Sequence, residues 1–436
     1  MSLTPPPLRI LISGAGIAGP CLAYWLSRTR LSPAPLITIV ERAPVPRTTG
    51  QAVDVRGSAV SIVRKMGLEE TLRARNTTEV GTRMLDARGE LVAEFPKGGG
   101  MTAEYEVLRA DLCGMFMEKT AGVGSIEFRF GEYVTSLSSS GDLSSSTSPP
   151  TTARFDSGRE EQYDLVVAAD GSTSRIREMV LKEEELQGSY NFIGQYTAFF
   201  SIPRIPSDTA HWYWFSTVHG LALMLRPHRN PDTVGVYLCI TTSGHGVRDA
   251  RVEAALEGGV EAQKALLHAY FKDAGWQATR ILASMDTCED FYMSRAAQVK
   301  SPLWHRDRTV LIGDAAFATF GIGTSLAIKS AYYLAGEIGK LADDARGGAG
   351  GDARDVRGGI PAALDRYEEV FRKIYGKYED LPWGFPQIAF PRTKMGMGLR
   401  NAALRIVSAT KVYKLLPDDD KEGKEELAEY DWTERV

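Results

Sequence analysis

Residues 8–30 constrain the fold most strongly, because an apolar run is interrupted by three closely spaced glycines and then resumes with helical spacing. This pattern predicts a strand, a tight turn and a helix. Gly14 permits the sharp turn, Gly16 lets the backbone approach a pyrophosphate, and Gly19 lets the helix pack closely on the strand. The first N–H groups of the helix would then face the phosphates at the positive end of the helix dipole. The segment therefore predicts a dinucleotide cradle.

A second predicted strand, Leu36–Glu41, supports this interpretation, which a glycine-rich turn alone would support only weakly. The strand ends in a carboxylate about 20 residues beyond the last glycine, the separation expected for a side chain that binds a ribose. The alternative for Glu41 is a surface acid at a strand end, and the spacing favours the ribose role. Whether the nucleotide is NAD or FAD remains open at this point.

Composition favours a small-molecule partner over nucleic acid. The chain of 436 residues is long enough for two or three subdomains. Its 51 basic and 55 acidic side chains give a net charge of −4, with no basic block that would attract nucleic acid. Cys21, Cys113, Cys239 and Cys288 are dispersed, so neither disulfides nor a metal site is expected, and a reducing, cytoplasmic location is favoured. No run approaches the ~20 apolar residues of a membrane span.

The middle of the chain predicts a different kind of sheet. Residues 189–241 read as long, aromatic, alternating strands, typical of an antiparallel sheet in a substrate-binding domain. A hairpin is also predicted at residues 82–96. The expected fold is α/β, with a Rossmann-like nucleotide-binding domain, an inserted antiparallel-sheet domain and a C-terminal helical region. The predicted division is a first part of the nucleotide-binding domain at 1–185, the substrate sheet at 186–300, a return segment at 301–345, and a connector with C-terminal helices at 346–436.

Two segments are predicted to be flexible, and one helix is amphipathic. A Ser-rich loop is expected at 136–152 and a Gly-rich connector at 346–359. The predicted helix near residues 397–417 carries basic residues on one side, namely Arg400, Arg405, Lys411 and Lys414. Such a helix could lie on a membrane surface, but its interrupted hydrophobic stripe favours docking onto the body of the protein. A membrane partner is therefore not expected.

A second glycine-rich element begins at residue 309, where a buried strand leads to Gly313 and Asp314. A short glycine loop and a helix follow. A carboxylate at a strand end can bind a polyol hydroxyl, and the start of a helix can stabilise a delocalised anion such as a reduced flavin. The loop and the expected helix start comprise Gly321, Gly323, Thr324 and Ser325.

Four segments together resemble one family. GAGIAG with Glu41 and Arg42, VLRADL with Arg109, AADGSTSRIR, and GDAA occur in the order and at the approximate separations seen in class A flavoprotein monooxygenases. The chain is similar to para-hydroxybenzoate hydroxylase and, more closely, to the tetracycline-inactivating and fungal polyketide-tailoring members. The resemblance covers about residues 8–340 and is specific for the fold and for FAD, but much less so for the substrate.

The resemblance implies which residues bind each part of FAD. Asp54 would lie beside the flavin ring, and Asp170 would contact FAD or NAD(P)H, although a turn explains the Asp170-Gly171 pair equally well. The other implied contacts are Gly14, Ala15, Gly16, Ile17, Ala18 and Gly19 at the pyrophosphate, Glu41 at the adenosine ribose, Arg42 near the adenine or phosphate, Arg109 at the phosphate and ribityl region, Asp314 at the ribityl chain, and Gly321, Gly323, Thr324 and Ser325 at the pyrimidine.

The resemblance also implies the reaction. NAD(P)H would reduce resident FAD, and a flavin C4a-hydroperoxide formed with O2 would transfer one oxygen atom to an aromatic or enolic, polyketide-like molecule. The single glycine cradle fits a resident FAD and a transient NAD(P)H. Secondary metabolism or detoxification is the expected context, and the chain is expected to be a monomer or homodimer. The alternatives are a flavin oxidoreductase that inserts no oxygen and a flavin-binding interaction protein.

Candidates for the catalytic side chain lie on the predicted aromatic strands. They are His211, Tyr213, Arg226 and Tyr237. An arginine would stabilise a phenolate or enolate, while a tyrosine or histidine could move a proton. Strand alternation sends only half of such residues toward a given face, so packing or a surface location is the alternative for each.

Overall fold

The computed structural model describes residues 5–98, 102–139, 149–346, 356–415 and 426–433. Most of the predicted Ser-rich loop and most of the Gly-rich connector lie outside these residues. The strands in chain order are β1 Arg9–Ser13, β2 Leu36–Glu41, β3 Ala52–Val55, β4 Gly81–Leu85, β5 Leu91–Pro96, β6 Tyr105–Leu108, β7 Ile126–Phe130, β8 Val134–Ser139, β9 Thr151–Phe155, β10 Glu160–Tyr163, β11 Leu165–Ala168, β12 Tyr190–Pro203, β13 His211–Thr217, β14 Leu221–Pro227, β15 Thr233–Thr241, β16 Tyr292–Val299, β17 His305–Arg306 and β18 Thr309–Leu311.

The α-helices are distributed along the whole chain. In order, they are α1 Ala18–Ser27, α2 Ser58–Lys65, α3 Glu69–Ala74, α4 Arg109–Thr120, α5 Arg175–Val180, α6 Glu183–Leu186, α7 Ala250–Glu257, α8 Gly259–Phe271, α9 Ala278–Thr287, α10 Asp314–Phe317, α11 Gly323–Gly339, α12 Leu341–Arg346, α13 Ile360–Tyr375 and α14 Lys394–Thr410.

A six-stranded sheet forms the centre of the nucleotide-binding region, in the order β17-β18-β11-β1-β2-β7. All its strands are parallel except β17, and Ile12 of β1 lies opposite Ile39 and Val167. Its central strands are almost wholly apolar because both faces are covered. The carboxyl ends of parallel strands meet at one edge, so this sheet places the end of β1, Glu41 and the end of β18 at the same side of the domain.

The second large sheet has seven strands, in the order β16-β12-β15-β14-β13-β4-β5. Residues 189–241 supply its four long antiparallel strands, as the alternating pattern predicts. The hairpin β4–β5 forms as expected but joins this sheet, through a parallel pairing of β4 with β13. The sheet therefore extends beyond the predicted 186–300 segment, because pairing between strands ~130 residues apart leaves no local pattern in the sequence.

The two faces of the seven-stranded sheet have different partners. One face packs against α7, α8 and α9 through a large aliphatic cluster. The other face carries a smaller, mainly aromatic cluster, which we call the aromatic face. Its buried residues are Trp212, Ala222, Met224, Tyr237, Cys239 and Phe390, with Phe199 and Trp214 packed against them.

The C-terminal region packs on this second sheet. Phe390 stacks on Trp214, with ring centroids 5.8 Å apart. Helix α14 lies on β5, where Leu404 and Val407 pack near Phe95. The predicted docking of this helix onto the body of the protein is thereby confirmed. In the part of the chain that the structure describes, no helix is both long enough and apolar enough to cross a bilayer.

Candidate active site

The glycine-rich turn between β1 and α1 has the shape that a pyrophosphate requires. A Cβ on Gly14, which has φ +111°, would lie 2.4 Å from the Ala169 carbonyl oxygen, and a Cβ on Gly19 would lie 2.1 Å from the Gly14 oxygen. A Cβ on Gly16 would meet no heavy atom of the protein within 4 Å. Gly14 and Gly19 are thus required by packing, whereas Gly16 borders open space. The turn therefore fits the phosphates of FAD.

Glu41 lies at the same edge of the sheet as this turn. Its carboxylate accepts hydrogen bonds from the backbone N–H groups of Ala15 at 3.0 Å and Ala43 at 2.9 Å. These bonds hold the acid beside the turn, where the family places the adenosine ribose. Arg42 is exposed, and Ile17 immediately precedes α1, which begins at Ala18. The FAD contacts of these residues remain predictions.

Asp314 lies within electrostatic range of Arg109, although the two residues are distant in the chain. Asp314 is the first residue of α10, and its Oδ1 would be 3.2 Å from a Cβ on Gly323. Desolvation raises the pKa of Asp314, and the positive charge of Arg109 opposes that rise. Helix α11 begins at Gly323, one residue before the predicted Thr324, and Gly321 precedes it with φ +86°. A carboxylate therefore adjoins the start of a helix, within electrostatic range of a guanidinium.

Asp170 caps a helix. Its Oδ2 accepts hydrogen bonds from the backbone N–H groups of Arg175 at 3.1 Å and Ile176 at 3.4 Å, at the start of α5. Desolvation raises its pKa. Buried Arg177 donates from Nη1 to the Ala315 carbonyl oxygen at 2.9 Å, which joins this segment to the GDAA segment. A structural role thus accounts for the Asp170 contacts, and a cofactor contact remains a prediction.

Strand β3 connects the start of α11 to the aromatic face. The N–H of Arg56 donates to Ser325 Oγ at 2.9 Å, and the N–H of Ala52 donates to Tyr237 Oη at 3.2 Å. The Tyr292 hydroxyl also hydrogen-bonds the Gln51 side chain. Residues implied at the pyrimidine of the flavin are thereby linked, through one short strand, to a tyrosine of the aromatic face.

Arg226 sits in a buried cluster of acids beneath this strand. Its Nη2 lies 2.6 Å from Glu106 Oε2 and 3.5 Å from Asp54 Oδ1, and its Nε donates to Glu79 Oε2 at 2.9 Å. Its guanidinium also lies 3.9 Å from the centre of the Trp212 ring. We call Asp54, Glu79, Glu106 and Arg226 the acid cluster. Three carboxylates lie around the guanidinium, and Arg226 is almost completely shielded from solvent.

Together with Arg56, the acid cluster is neutral only if one acid keeps its proton. Arg56 also pairs with Asp54, at 2.6 Å, so two guanidinium groups face three carboxylates. Burial raises the pKa of Glu79 to about 8, with Arg226 opposing the rise and Glu106 adding to it. Burial lowers the pKa of Arg226, but Glu106 and the other nearby negative groups outweigh it, and the net pKa is raised. The raised pKa favours the protonated form of Glu79, which brings the cluster closer to neutrality.

The four catalytic candidates divide between the two faces of the sheet. Tyr237 belongs to the aromatic face, and Arg226 lies on the same side of the sheet with its guanidinium against the Trp212 ring. Tyr213 packs with Trp276 on the face that carries the helices, and His211 lies two residues away on the same side of β13. His211 Nε2 lies 3.6 Å from Glu94 Oε1, and desolvation lowers its pKa. The structure therefore does not bring His211 and Tyr213 to the site, because the pleat turns them away from it.

Several residues of the site were not predicted. Glu79 and Glu106 lie in segments with no recognisable motif, and Gln51 belongs to a proline-containing loop. Tyr292 stacks on Phe199 at 4.9 Å, and Phe390 comes from the C-terminal region. Glu106 alone had a signal in the sequence, because it is an acid within the apolar strand sequence YEVL of β6. In the described ranges, no group of His, Cys, Asp and Glu is arranged to hold a metal ion.

Known proteins share this architecture. The family model of the FAD binding domain matches residues 8–355. The crystal structure of tetracycline destructase Tet(55) superposes with a TM-score of 0.68 at 27% identity, over 98% of this chain and 100% of that chain. Klebsiella pneumoniae HpxO, complexed with FAD and uric acid, has a TM-score of 0.65 at 20% identity over 94% of this chain and 95% of its own, a likeness of fold.

Proteins that are similar in sequence are named as monooxygenases. FAD-dependent monooxygenase asL4 of Sarocladium schorii is 33% identical over 390 residues, which cover 86% of each chain. Monooxygenase CTB7 of Cercospora beticola is 31% identical over 438 residues, which cover 97% of this chain and 98% of its own. The expected Rossmann-like FAD-binding fold and the resemblance to class A enzymes are thus confirmed. The chain belongs to the family of FAD-dependent monooxygenases built on this FAD-binding domain.

Proposed function

We propose that this monooxygenase uses NAD(P)H and O2 to hydroxylate an aromatic or enolic small molecule, in secondary metabolism or detoxification. The carrying observation is the position of β3 and of the residue that follows it. Ala52 of β3 hydrogen-bonds Tyr237 on the aromatic face, and Arg56 hydrogen-bonds Ser325 at the start of α11. That strand brings the residues assigned to the flavin ring beside an apolar wall. A substrate between them would be shielded from water.

We assign the FAD contacts to the residues implied by the family. The open space at Gly16, the anchored Glu41 and the electrostatic interaction of Arg109 with Asp314 all fit the cofactor. When bound, FAD supplies the redox chemistry and the activation of O2. The protein supplies position and charge: the N–H groups at the start of α11 and the guanidinium of Arg109 favour a negative charge on the bound group.

The aromatic face favours a flat, apolar substrate. Trp212, Trp214 and Phe390 contact one another with ring centroids 4.8 and 5.8 Å apart. Stacked aromatic side chains bind polycyclic rings through offset and edge contacts. Solved relatives include tetracycline destructases. We therefore propose a polycyclic phenol or enol as the substrate, bound along this face.

Tyr237 is the proposed catalytic contact, and Arg226 is a positioning residue. Burial raises the pKa of Tyr237, so its hydroxyl keeps its proton and can donate a hydrogen bond to a substrate oxygen. The guanidinium of Arg226 is surrounded by Glu79, Glu106 and Asp54 and is not available to a substrate phenolate. It instead holds Trp212 and Asp54 in place.

NAD(P)H is proposed as a transient co-substrate, since the sequence contains one glycine cradle and the FAD is assigned to it. The dispersed, unpaired cysteines support a cytoplasmic location.

The test uses purified protein loaded with FAD. We expect NADPH or NADH to bleach the flavin absorbance without air, and O2 to restore it. With a polycyclic phenol such as a tetracycline, ¹⁸O from ¹⁸O2 is expected in the product. Flavin reduction with product that never contains ¹⁸O would instead establish an oxidoreductase without oxygen insertion. Flavin that no nicotinamide reduces, whatever phenol is present, would establish a flavin-binding protein and overturn the proposal.

A further inference from the structure

Helix α14 is packed on one side and apolar on the other. Its inner side contacts the hairpin β4–β5 through Leu404 and Val407. On its outer side Met395, Leu399 and Ile406 are 85%, 75% and 63% exposed. Residues at positions i, i+4 and i+11 of a helix lie on one side of it. The exposed residues therefore form a continuous stripe, which we call the outer stripe.

The segment just before α14 extends this exposed apolar surface. Trp383 is 91% exposed and Ile388 is 53% exposed. The segment is tied to the helix, because Arg400 donates from Nη1 to the Ala389 carbonyl oxygen at 3.0 Å. A tryptophan so fully in solvent is unusual for a residue of this size, and tryptophan is enriched where proteins meet the headgroup layer of a membrane.

The same region is strongly basic. Residues 394–414 contain five Lys and Arg and no Asp or Glu, in a chain whose net charge is −4. Arg400 points inward, where desolvation lowers its pKa to about 10. Lys394, Arg405, Lys411 and Lys414 are exposed, and no ion pair joins any of them to an acid in the described ranges. The three aspartates at 418–420 fall outside those ranges.

We propose that the outer stripe and its basic residues dock this enzyme on the surface of an anionic lipid bilayer. An apolar stripe on a basic helix without acids is the combination that places a helix in the interface plane of such a membrane. About 5-fold in affinity is expected from each Lys or Arg near an anionic surface. A second copy of the chain fits less well, because a two-fold contact through this stripe would bring the basic residues of both copies together.

Docking here would matter for substrate supply. Phe390, at the end of the segment that carries Trp383, packs on Trp214 of the aromatic face. An apolar polycyclic substrate dissolved in a bilayer would therefore reach the protein close to the proposed pocket. This consequence rests on the proposed function, whereas the docking itself does not.

The test measures cosedimentation of the FAD-loaded enzyme with vesicles. We expect binding to phosphatidylcholine vesicles that contain phosphatidylserine, weak binding to phosphatidylcholine alone, and a decrease as salt is raised. Leu399→Ser with Ile406→Ser is expected to lower binding at least 10-fold, and Arg405→Gln with Lys411→Gln about 25-fold, from the value for each charge. The matched controls are Val260→Ser, at an exposed position of α8, and Lys272→Gln.

Flavin absorbance and the unfolding temperature of each variant show that it is folded. Failure of the wild type to bind phosphatidylserine vesicles, or equal binding by the stripe variants and the controls, would overturn the proposal. A homodimer that Leu399→Ser with Ile406→Ser converts to monomer, without any binding to vesicles, would assign the stripe to a second copy instead. None of these results depends on substrate turnover, so they are distinct from a failure of the proposed function.

Discussion

The two ends of the proposed FAD site are built in different ways. At the cradle, Gly14, Gly19 and Glu41 come from one strand–turn–helix–strand unit. Their contacts are with the backbone of that unit and with the backbone at the end of β11, the neighbouring strand in the sheet. At the flavin end, β3, β6, β14 and the loop before β4 each contribute a residue to the acid cluster. The first end tolerates no added atom at Gly14 or Gly19, whereas the second depends on a balance of buried charge. The difference separates a site specified by local sterics from one specified by long-range electrostatics.

The largest effect is expected at the cradle. Gly19→Ala would place a Cβ 2.1 Å from the Gly14 oxygen, so the turn must open and FAD is expected to be lost from the purified protein. Gly16→Ala is the matched substitution, because its Cβ meets no protein atom within 4 Å. Without FAD, Gly16→Ala should therefore unfold at the same temperature as the wild-type apoprotein. Added FAD should bind to it, but more weakly than to the wild type. Flavin absorbance and thermal unfolding measure both, and equal behaviour of the two variants would contradict the steric account.

Removing the cation of the acid cluster should have the next largest effect. Arg226→Met leaves Glu79 and Glu106 buried without their partner, and a loss of about 3–5 kcal/mol in the free energy of unfolding is expected. Arg75→Met is the control, since the Arg75–Glu118 pair is exposed and should contribute less than ~1 kcal/mol. Urea unfolding measures both. If Arg226→Met lowered the free energy of unfolding no more than Arg75→Met, the charges of the acid cluster would be as well solvated as those of an exposed ion pair.

The raised pKa of Glu79 predicts a pH dependence. The unfolded protein loses this proton near the ordinary value of 4.5, and the folded protein keeps it until about pH 8. The folded state then binds more protons between these values, so stability should fall as pH rises, by at most about 1.4 kcal/mol per pH unit. Glu79→Gln should flatten this slope. Urea unfolding from pH 5 to 8 is the measurement.

Glu253 provides a control of opposite sign. Hydrogen bonds from Arg295 lower its pKa to about 2, so its contribution to stability is present above pH 4.5 and is lost as pH falls toward 2. Glu253→Gln should leave the slope between pH 5 and 8 unchanged. If Glu79→Gln also leaves it unchanged, Glu79 is ionised in the folded protein and the charge balance described for the cluster is wrong.

The smallest effect is expected from replacing a tyrosine by phenylalanine. The same replacement can be made on each face of the sheet. Tyr237→Phe leaves the Ala52 N–H without its acceptor, which should cost about 1 kcal/mol and lower kcat/KM with a substrate of the proposed class. Tyr213→Phe should change neither beyond ~0.5 kcal/mol, because its hydroxyl contacts Thr209 near the surface. Steady-state kinetics and urea unfolding measure the pair. Equal decreases in kcat/KM would contradict the proposal that the substrate binds along the aromatic face.

Much of the nucleotide-binding region could be predicted because its signals are local. Leu36–Glu41 is the strand that the apolar run predicts, and α1 follows the glycine turn as expected. The flavin end was predicted in part. Asp314 and Arg109 were named from the family resemblance, but His211 and Tyr213 were placed with Arg226 and Tyr237, from which the pleat separates them. Which face of a strand meets a pocket depends on the elements that cover it, and these are remote in sequence.

The sequence by itself determined the dinucleotide cradle, the FAD-dependent family and the existence of an aromatic sheet, since each depends on residues close in the chain or on motifs in fixed order. Only the tertiary structure decided which face of that sheet meets β3, that the hairpin β4–β5 extends the sheet, and that three acids surround Arg226. Packing and charge balance act between residues that are near in space, and the order of residues along the chain does not encode that distance directly.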